Sequence, residues 1–281
     1  MEEIKLVLFD VDGTLINTGR AGTRALNKAI EILYGVKNVC ENFSLQGCSD
    51  RVNFSSAYFY ANRKRAVTKD IELITRLYLE KLPLELRKSV KRGTYKKIKG
   101  VEKFIKFLYR RKQVLLGLGT GNVKKGAFLK LEHSGLGKYF VFGGFGEDSA
   151  DRTVLLKKAV ERGEKIVGGK INPKNVYVIG DTHKDVESAK EAGYHSAAVL
   201  GGFGDTDKIM KSSPEFIDRD FTDLSGWLIW LGLKKDPRGI KRATYICPDT
   251  PIEHAYYGMR GIDRSGIEDK IRKIRRIKGG P

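Results

Sequence analysis

The sequence has few cysteines and no long apolar run, and both absences restrict the kinds of protein it can encode. Only three of the 281 residues are cysteine, and the spacing of Cys40, Cys48 and Cys247 fits neither a disulfide framework nor a clustered zinc site. No apolar stretch approaches the ~20 residues that a membrane-spanning helix needs. The first residues, MEEIKLVLFD, open with acids and lack the pattern of a secretory signal. We therefore expect a cytoplasmic protein without a membrane span.

Acidic residues are also scarce relative to basic ones, and the excess of basic residues is uneven along the chain. The sequence has 53 Lys and Arg against 34 Asp and Glu. Residues 19–98 contain 17 basic and seven acidic residues, residues 234–281 contain 13 and six, and the remainder is nearly neutral. Such surfaces favour solubility or stability at high temperature, but they also attract anionic partners. The sequence leaves both interpretations open.

Strands and helices are predicted to alternate over most of the chain, without an internal repeat or a low-complexity segment. The apolar run at residues 5–9 is typical of a buried parallel strand. Further strands are predicted at 114–119, 176–180 and 196–200, and helices at 123–134, 152–162 and 185–192. The segment YFVFG is a short apolar piece between the first two of these helices. Alternation of this kind predicts a Rossmann-like, doubly wound α/β fold with a parallel sheet.

A block of helices without a convincing strand interrupts this alternation at residues 19–98. Helices are predicted at 21–36, 51–62 and 70–82, with Pro83 ending the third. An insertion directly after the first strand would lie over the strand ends where α/β sheets bind ligands. We predict a core of residues 1–18 and 99–233, an all-helical cap of residues 19–98, and a basic C-terminal extension of residues 234–281.

Four acidic residues follow two of the predicted strands. Asp10 and Asp12 stand in FDVDGTL, and Asp181 and Asp185 stand in GDTHKD. Because adjacent parallel strands end at the same edge of a sheet, the four carboxylates are expected to share one pocket. Without a cation they would raise one another's pKa values. Oxygen ligands with few thiols or imidazoles nearby favour Mg²⁺, so the sequence predicts a magnesium site.

Two other segments offer groups suited to a phosphate. GTGN places Thr120, Gly121 and Asn122 after a strand, with a hydroxyl and an unobstructed backbone N–H at the start of a helix. Arg152 is predicted at the start of a later helix, where its guanidinium would neutralise a second phosphate edge.

Together, these segments resemble the motifs of the haloacid dehalogenase-like hydrolases, specifically the branch similar to phosphoglycolate phosphatases. FDVDGTL is similar to the first motif of that family, GTGN to the second, Arg152 to the third and GDTHKD to the fourth, over about residues 4–232. Lysine is the commoner basic residue of the third motif, and Lys157 or Lys158 is the alternative to Arg152. The helical block resembles the cap of this branch, with LQGCSD similar to its cap loop.

The resemblance implies a role for each matched residue. Asp10 would be the nucleophile that forms an aspartyl-phosphate, and Asp12 would protonate the leaving oxygen and then activate water. Asp10, Asp181 and the backbone carbonyl of Asp12 would bind Mg²⁺, with Asp185 close by. The phosphoryl group would be held by Thr120, Gly121, Asn122 and Arg152. The implied activity is hydrolysis of a small phosphomonoester.

Several alternatives remain at the level of sequence. A basic cap and tail would also suit a phosphatase of nucleic-acid ends or nucleotides, and a phosphomutase or a non-enzymatic binding protein are further alternatives. Arg20, Arg24 and Arg51 are candidates for substrate contacts from the cap, and His183 is expected at the rim.

The tail has its own open interpretations. Ile267, Ile271, Ile274 and Ile277 fall on one helical face among basic residues. The segment is expected to pack as a helix on the body or a second subunit, to bind nucleic acid, or to lie on an acidic membrane surface or remain disordered.

Overall fold

The computed structural model describes residues 3–233. The basic C-terminal extension and its predicted isoleucine-faced helix lie outside these described residues. None of the helices within residues 3–233 is long and apolar enough to cross a membrane.

A six-stranded sheet, with every pairing parallel, forms the centre of the molecule. Its strands are β1 (Lys5–Phe9), β4 (Val114–Gly119), β5 (Gly143–Gly144), β6 (Val176–Gly180), β7 (His195–Val199) and β8 (Phe216–Asp218). The order across the sheet is β5-β4-β1-β6-β7-β8. Phe9, at the end of β1, pairs with Leu118 on one side and Ile179 on the other. The C-terminal ends of the three central strands therefore lie side by side, which is where this class of fold binds ligands.

Helices cover both faces of the sheet, which explains why the strands are continuous apolar runs. The core helices are α4 (Val101–Tyr109), α5 (Lys124–Glu132), α6 (Arg152–Val167), α7 (His183–Glu191), α8 (Thr206–Lys211) and α9 (Ser225–Trp230). Alternate residues of β1 serve opposite faces: Val7 and Phe9 pack with α4, α5 and α9, whereas Leu6 and Leu8 pack with α6 and α7. The predicted doubly wound α/β core is confirmed.

Three helices between β1 and α4 form the cap and have an apolar cluster of their own. They are α1 (Ala21–Tyr34), α2 (Asp50–Asn62) and α3 (Thr68–Lys91). Ile30, Phe54 and Tyr78, one from each helix, are buried in this cluster. A two-stranded antiparallel ribbon, β2 (Ile16–Asn17) with β3 (Lys96–Lys97), joins the ends of the inserted segment. The helical cap is thus present, and its boundaries at residues 19 and 98 remain a prediction.

Two local predictions for the cap were wrong. Helix α3 does not stop at Pro83 but continues to Lys91. Proline removes one backbone hydrogen bond, yet Leu82 and Leu86 on either side of it are buried in the cap cluster, and this packing holds the helix together. The short strand β3 also lies in a segment where no strand was expected, since its lysines are exposed and carry no apolar pattern.

Candidate active site

The first acidic segment turns sharply at the end of β1. Asp10 directly follows the strand, and its N–H donates to the carbonyl of Ile179 in β6. Gly13 has a φ of +84°, and a Cβ atom there would lie 2.0 Å from Asp181 Oδ2. Only glycine accommodates both this left-handed backbone and the close approach. The turn therefore brings the loop after β1 against the loop after β6.

Three of the four predicted acids come together in a buried cluster. Asp10, Asp181 and Asp185 each offer a carboxylate oxygen within 4.8 Å of the others. Asp185 lies in the first turn of α7, where it accepts hydrogen bonds from the backbone N–H (3.0 Å) and hydroxyl (2.6 Å) of Thr182. Asp181 accepts from the N–H of Phe203 at 2.7 Å. Carboxylates fixed by such bonds are held in position before any ligand arrives.

One guanidinium compensates part of the charge of this carboxylate cluster. Arg152 is buried, pairs with Asp185, and lies 3.4 Å from Asp10 Oδ1. Burial nevertheless raises the pKa of Asp10 to about 6, with Arg152 lowering it and Asp185 raising it further. The pKa of Asp181 is raised well above its usual value, first by burial and then by the charges of Asp10 and Asp185. Three carboxylates beside one guanidinium leave an uncompensated negative charge.

The donor set of the cluster fits a hard divalent cation. All three side chains offer carboxylate oxygens, and the cluster contains neither thiol nor imidazole. Ligands of this kind suit Mg²⁺ or a similar ion, and a bound cation would relieve the repulsion that raises the carboxylate pKa values.

The side chain of Asp12 lies outside this cluster and faces a buried lysine. Lys130 Nζ is 2.6 Å from Asp12 Oδ2, and Asn122 Nδ2 donates to the same oxygen at 3.0 Å. Lys130 is only 5% exposed. Burial lowers its pKa, but the charge of Asp12 and the other acids outweighs burial, so the pKa is raised. Asp12 is therefore held by a cation of its own, separate from Arg152.

Sequence reasoning missed Lys130, although a signal was present. Val123, Ala127 and Leu131 mark the buried side of α5, and Lys130, three residues after Ala127, lies close to that side. A lysine on the buried side of a helix needs an anionic partner. This requirement indicated that Lys130 would pair with one of the predicted acids.

The GTGN segment lies beside both the carboxylate cluster and the pair of Asp12 and Lys130. Thr120 is fully buried, and its Oγ1 accepts from Asn122 Nδ2 at 2.8 Å. A Cβ atom on Gly121 would lie 2.9 Å from the carbonyl oxygen of Cys48, so glycine lets the cap loop approach. Arg152, rather than Lys157 or Lys158, is the basic side chain at the cluster: Lys157 is exposed, and Lys158 pairs with exposed Glu161.

The cap loop lies over these residues, and a cavity of about 630 Å³ separates the cap from the core. The N–H of Asp50 donates to the carbonyl of Gly121 at 2.7 Å, and Asp50 Oδ2 accepts from the N–H of Val123 at 2.9 Å. Gln46 Nε2 donates to the carbonyl of Phe203 at 2.9 Å. Most of the predicted site residues line this cavity: Asp10, Asp12, Thr120, Gly121, Asn122, Arg152 and Asp181.

The three candidate arginines of the cap have different surroundings. Arg24 is engaged by Glu85, Ser89 and the carbonyl of Gly19. Arg20 and Arg51 are both exposed, but Arg20 lines the cavity and Arg51 does not. His183 is the first residue of α7 and is partly exposed, outside the cavity lining.

Comparisons with solved structures show the same fold. The chain has the fold of CbbY from Rhodobacter sphaeroides, solved in complex with phosphate, with 20% identity and a TM-score of 0.63 over 82% of this chain and 100% of that one. A predicted phosphoglycolate phosphatase from Haemophilus somnus 129pt has 18% identity and a TM-score of 0.59 (80% and 97% covered). A candidate β-phosphoglucomutase from Bacteroides vulgatus also has 18% identity and a TM-score of 0.59 (83% and 92% covered).

No curated protein matches the chain significantly. The sequence profile of the haloacid dehalogenase-like hydrolases matches residues 7–199, more than half of the chain. The family predicted from the four motifs is confirmed, and the chain belongs to the haloacid dehalogenase-like hydrolases.

Proposed function

We propose that this hydrolase is a Mg²⁺-dependent phosphatase that acts on a small phosphomonoester through an aspartyl-phosphate on Asp10. The observation that carries the proposal is the buried cluster of Asp10, Asp181 and Asp185, with Arg152 as its only pairing cation among the described residues. Asp10 Oδ would attack phosphorus as the bond to the leaving oxygen breaks. The cavity volume of about 630 Å³ lies within the range typical of small-molecule sites.

The metal would be held by the carboxylates of the cluster and by the backbone carbonyl of Asp12. When bound, the cation would reduce the negative charge of the phosphoryl oxygens and so permit an anionic nucleophile to approach. Arg152 and the backbone N–H of Gly121 would orient the same oxygens, and the hydroxyl of Thr120 would hold the Asn122 amide in place.

Asp12 would move the protons of both steps. As acid it would give a proton to the leaving oxygen, and as base it would take one from the water that hydrolyses the aspartyl-phosphate. Lys130, 2.6 Å away, would stabilise the carboxylate that remains after the first transfer. The cap loop would exclude bulk water until the first product leaves.

The domains also have proposed roles, and the cysteines bear on the proposed location of the protein in the cell. Residues 1–18 and 99–233 would supply the chemistry and residues 19–98 the enclosure. The free thiols of Cys40 and Cys48 suit a reducing cytoplasm. The size of the cavity favours a small metabolite over a nucleic-acid end, since bonds from Asp50 and Gln46 tie the cap loop to the core and limit the space between them.

The test is hydrolysis of a panel of phosphorylated metabolites by the wild-type protein and by Asp10→Asn. Loss of the nucleophile is expected to lower kcat by about 10³-fold or more. Chelation with EDTA is expected to abolish activity, and Mg²⁺ to restore it. Asp207→Asn, which changes an exposed acid on α8, is the matched control. An Asp10→Asn variant with wild-type turnover would refute the proposal.

A further inference from the structure

Two polar side chains on the cap side of the cavity have no partner within residues 3–233: the guanidinium of Arg20, which is exposed, and the buried Oδ1 atom of Asn53. This side of the cavity is lined by apolar and aromatic side chains from α1, α2 and α3, including Leu26, Phe54 and Tyr78. Among them stand Arg20, which precedes α1, and Asn53 in α2. Polar groups in such a wall normally hydrogen-bond one another or a ligand.

Arg20 is held in a conformation that its residue type disfavours. Its φ of +61° lies in the left-handed region, which glycine adopts more readily than arginine. Its guanidinium makes no hydrogen bond or ion pair with any residue between 3 and 233, in contrast to Arg24 a turn later, which makes several. Arg20 and Cys40 both line the cavity, and Arg20 is near enough to oppose the rise that burial causes in the pKa of the Cys40 thiol, to about 12.

Asn53 is a buried amide with an unused atom. The residue is only 7% exposed, and its Oδ1 atom has no hydrogen-bond partner among the described residues. An unsatisfied polar atom at this depth destabilises the protein unless a ligand or an ordered water supplies the missing bond. A carbonyl oxygen accepts hydrogen bonds, so the ligand group that satisfies it is a donor such as a hydroxyl.

The other cations of the cavity are already engaged. Arg152 pairs with the carboxylate cluster, and Lys130 pairs with Asp12. Within the described part of the chain, Arg20 is therefore the cavity-lining cation that remains available to bind a second negative group of the substrate, apart from the reacting phosphate.

We propose that the site selects a phosphomonoester with a second anionic group, bound by Arg20, and a hydroxyl, bound by Asn53. The substrate class is a phosphorylated hydroxy acid or a bisphosphorylated polyol. This inference rests on the proposed function for turnover, although the binding of such a compound does not require turnover.

The experiment compares substrate pairs that differ in the second anionic group. One pair is 3-phosphoglycerate and glycerol 3-phosphate, in which a hydroxymethyl replaces the carboxylate. The other is fructose 1,6-bisphosphate and fructose 6-phosphate, so the two pairs distinguish a carboxylate from a second phosphate. For each pair, the ratio of kcat/KM values and the ratio of Kd values from calorimetry are measured.

The variants are chosen so that folding is preserved. Arg20→Gly removes the guanidinium and suits the left-handed backbone, and Arg20→Lys retains the charge. Arg63→Gly is the matched control, because Arg63 also has a left-handed φ, of 55°, in the cap and does not line the cavity. Asn53→Ala is compared with Asn62→Ala on the same helix, using 3-phosphoglycerate and its analogue without the hydroxyl, 3-phosphooxypropanoate.

Arg20→Gly is expected to lower the preference for the anionic member of at least one pair by about tenfold or more, mainly through KM. Arg20→Lys should recover part of this preference, and Arg63→Gly should behave as wild type. Asn53→Ala should lower the preference for the hydroxylated compound.

Two results would separate this inference from the proposed function. If wild type and Arg20→Gly hydrolyse phosphomonoesters with the same ratio of kcat/KM values within each substrate pair, the assignment of Arg20 is overturned while the phosphatase proposal stands. If no compound is hydrolysed but calorimetry shows an Arg20-dependent preference, the phosphatase proposal fails and the binding assignment stands. If no compound is hydrolysed and the Kd ratios of wild type and Arg20→Gly are also equal, both the phosphatase proposal and the binding assignment are overturned.

Discussion

The core wall and the cap wall of the cavity differ in how their polar side chains are partnered. On the core wall, Asp12 is paired with Lys130, and Asp10 and Asp185 are paired with Arg152. On the cap wall, Arg20 and the Oδ1 atom of Asn53 have no partner within residues 3–233. Charges that act on every substrate need fixed positions, whereas groups that recognise one substrate must remain free for it. The contrast places the proposed chemistry in the core and the proposed selection in the cap.

The largest expected effect comes from removing the cation of the carboxylate cluster. Arg152→Ala leaves three buried carboxylates without their guanidinium, which should lower the free energy of unfolding by about 3–5 kcal/mol at neutral pH in EDTA. Urea denaturation measures this loss.

Arg162→Ala on the same helix is the control for that experiment. Arg162 also pairs with an aspartate, Asp148, but its side chain is 40% exposed, so solvent screening keeps the expected loss to about 1 kcal/mol or less. Equal losses in the two variants would show that the core wall does not depend on its internal pairing.

Asp50 ties the cap to the core, and its titration is expected to have the next largest effect on stability. Burial raises its pKa from 3.8 to about 6, opposed by the charge of Lys130 and the N–H of Val123. The folded protein therefore binds this proton more tightly than the unfolded chain does. The contribution to stability is fully present below about pH 4 and is lost as the pH rises through about 6.

Asp50→Asn removes this titration and keeps a side-chain oxygen that accepts from Val123. Between pH 4 and 7, the wild type should lose about 2–3 kcal/mol of unfolding free energy relative to the variant. Denaturant titrations across this range measure the difference, with Asp207→Asn as an exposed control. Parallel pH profiles of wild type and Asp50→Asn would contradict the raised pKa of Asp50.

The smallest effect is expected from Lys130, which acts through Asp12. Lys130→Met should lower kcat by roughly 10–100-fold, since Asp12 loses the group that orients it and stabilises its carboxylate. KM should change less, because Lys130 is already bonded to Asp12 and Asn122. Lys158→Met, on an exposed ion pair of α6, is the control. A rise in KM with unchanged kcat would instead place Lys130 with the substrate-selecting groups of the cap.

The sequence predicted those parts of the molecule whose pattern is local. The strands at residues 114–119 and 176–180 were predicted at their observed bounds, because a strand buried on both faces is a continuous apolar run. The start of α6 at Arg152 was also predicted. The four motifs predicted the family, and the acids that follow β1 and β6 do meet at one edge of the sheet.

Other features depended on contacts between distant segments. Helix α3 passes Pro83 because the cap cluster buries the residues around it. Asp12, which lies apart from the other three acids, pairs with Lys130, more than a hundred residues away.

The amino-acid sequence by itself determined the parallel α/β core, the inserted helical block and the residues brought to the ends of the strands, since periodicity and strand-end chemistry are properties of neighbouring residues. Only the tertiary structure decided which cations pair with which acids, and that Arg20, of the three candidate arginines of the cap, lines the cavity. The physical reason is that electrostatic pairing and burial depend on distances across the fold, which the spacing of residues along the chain does not specify.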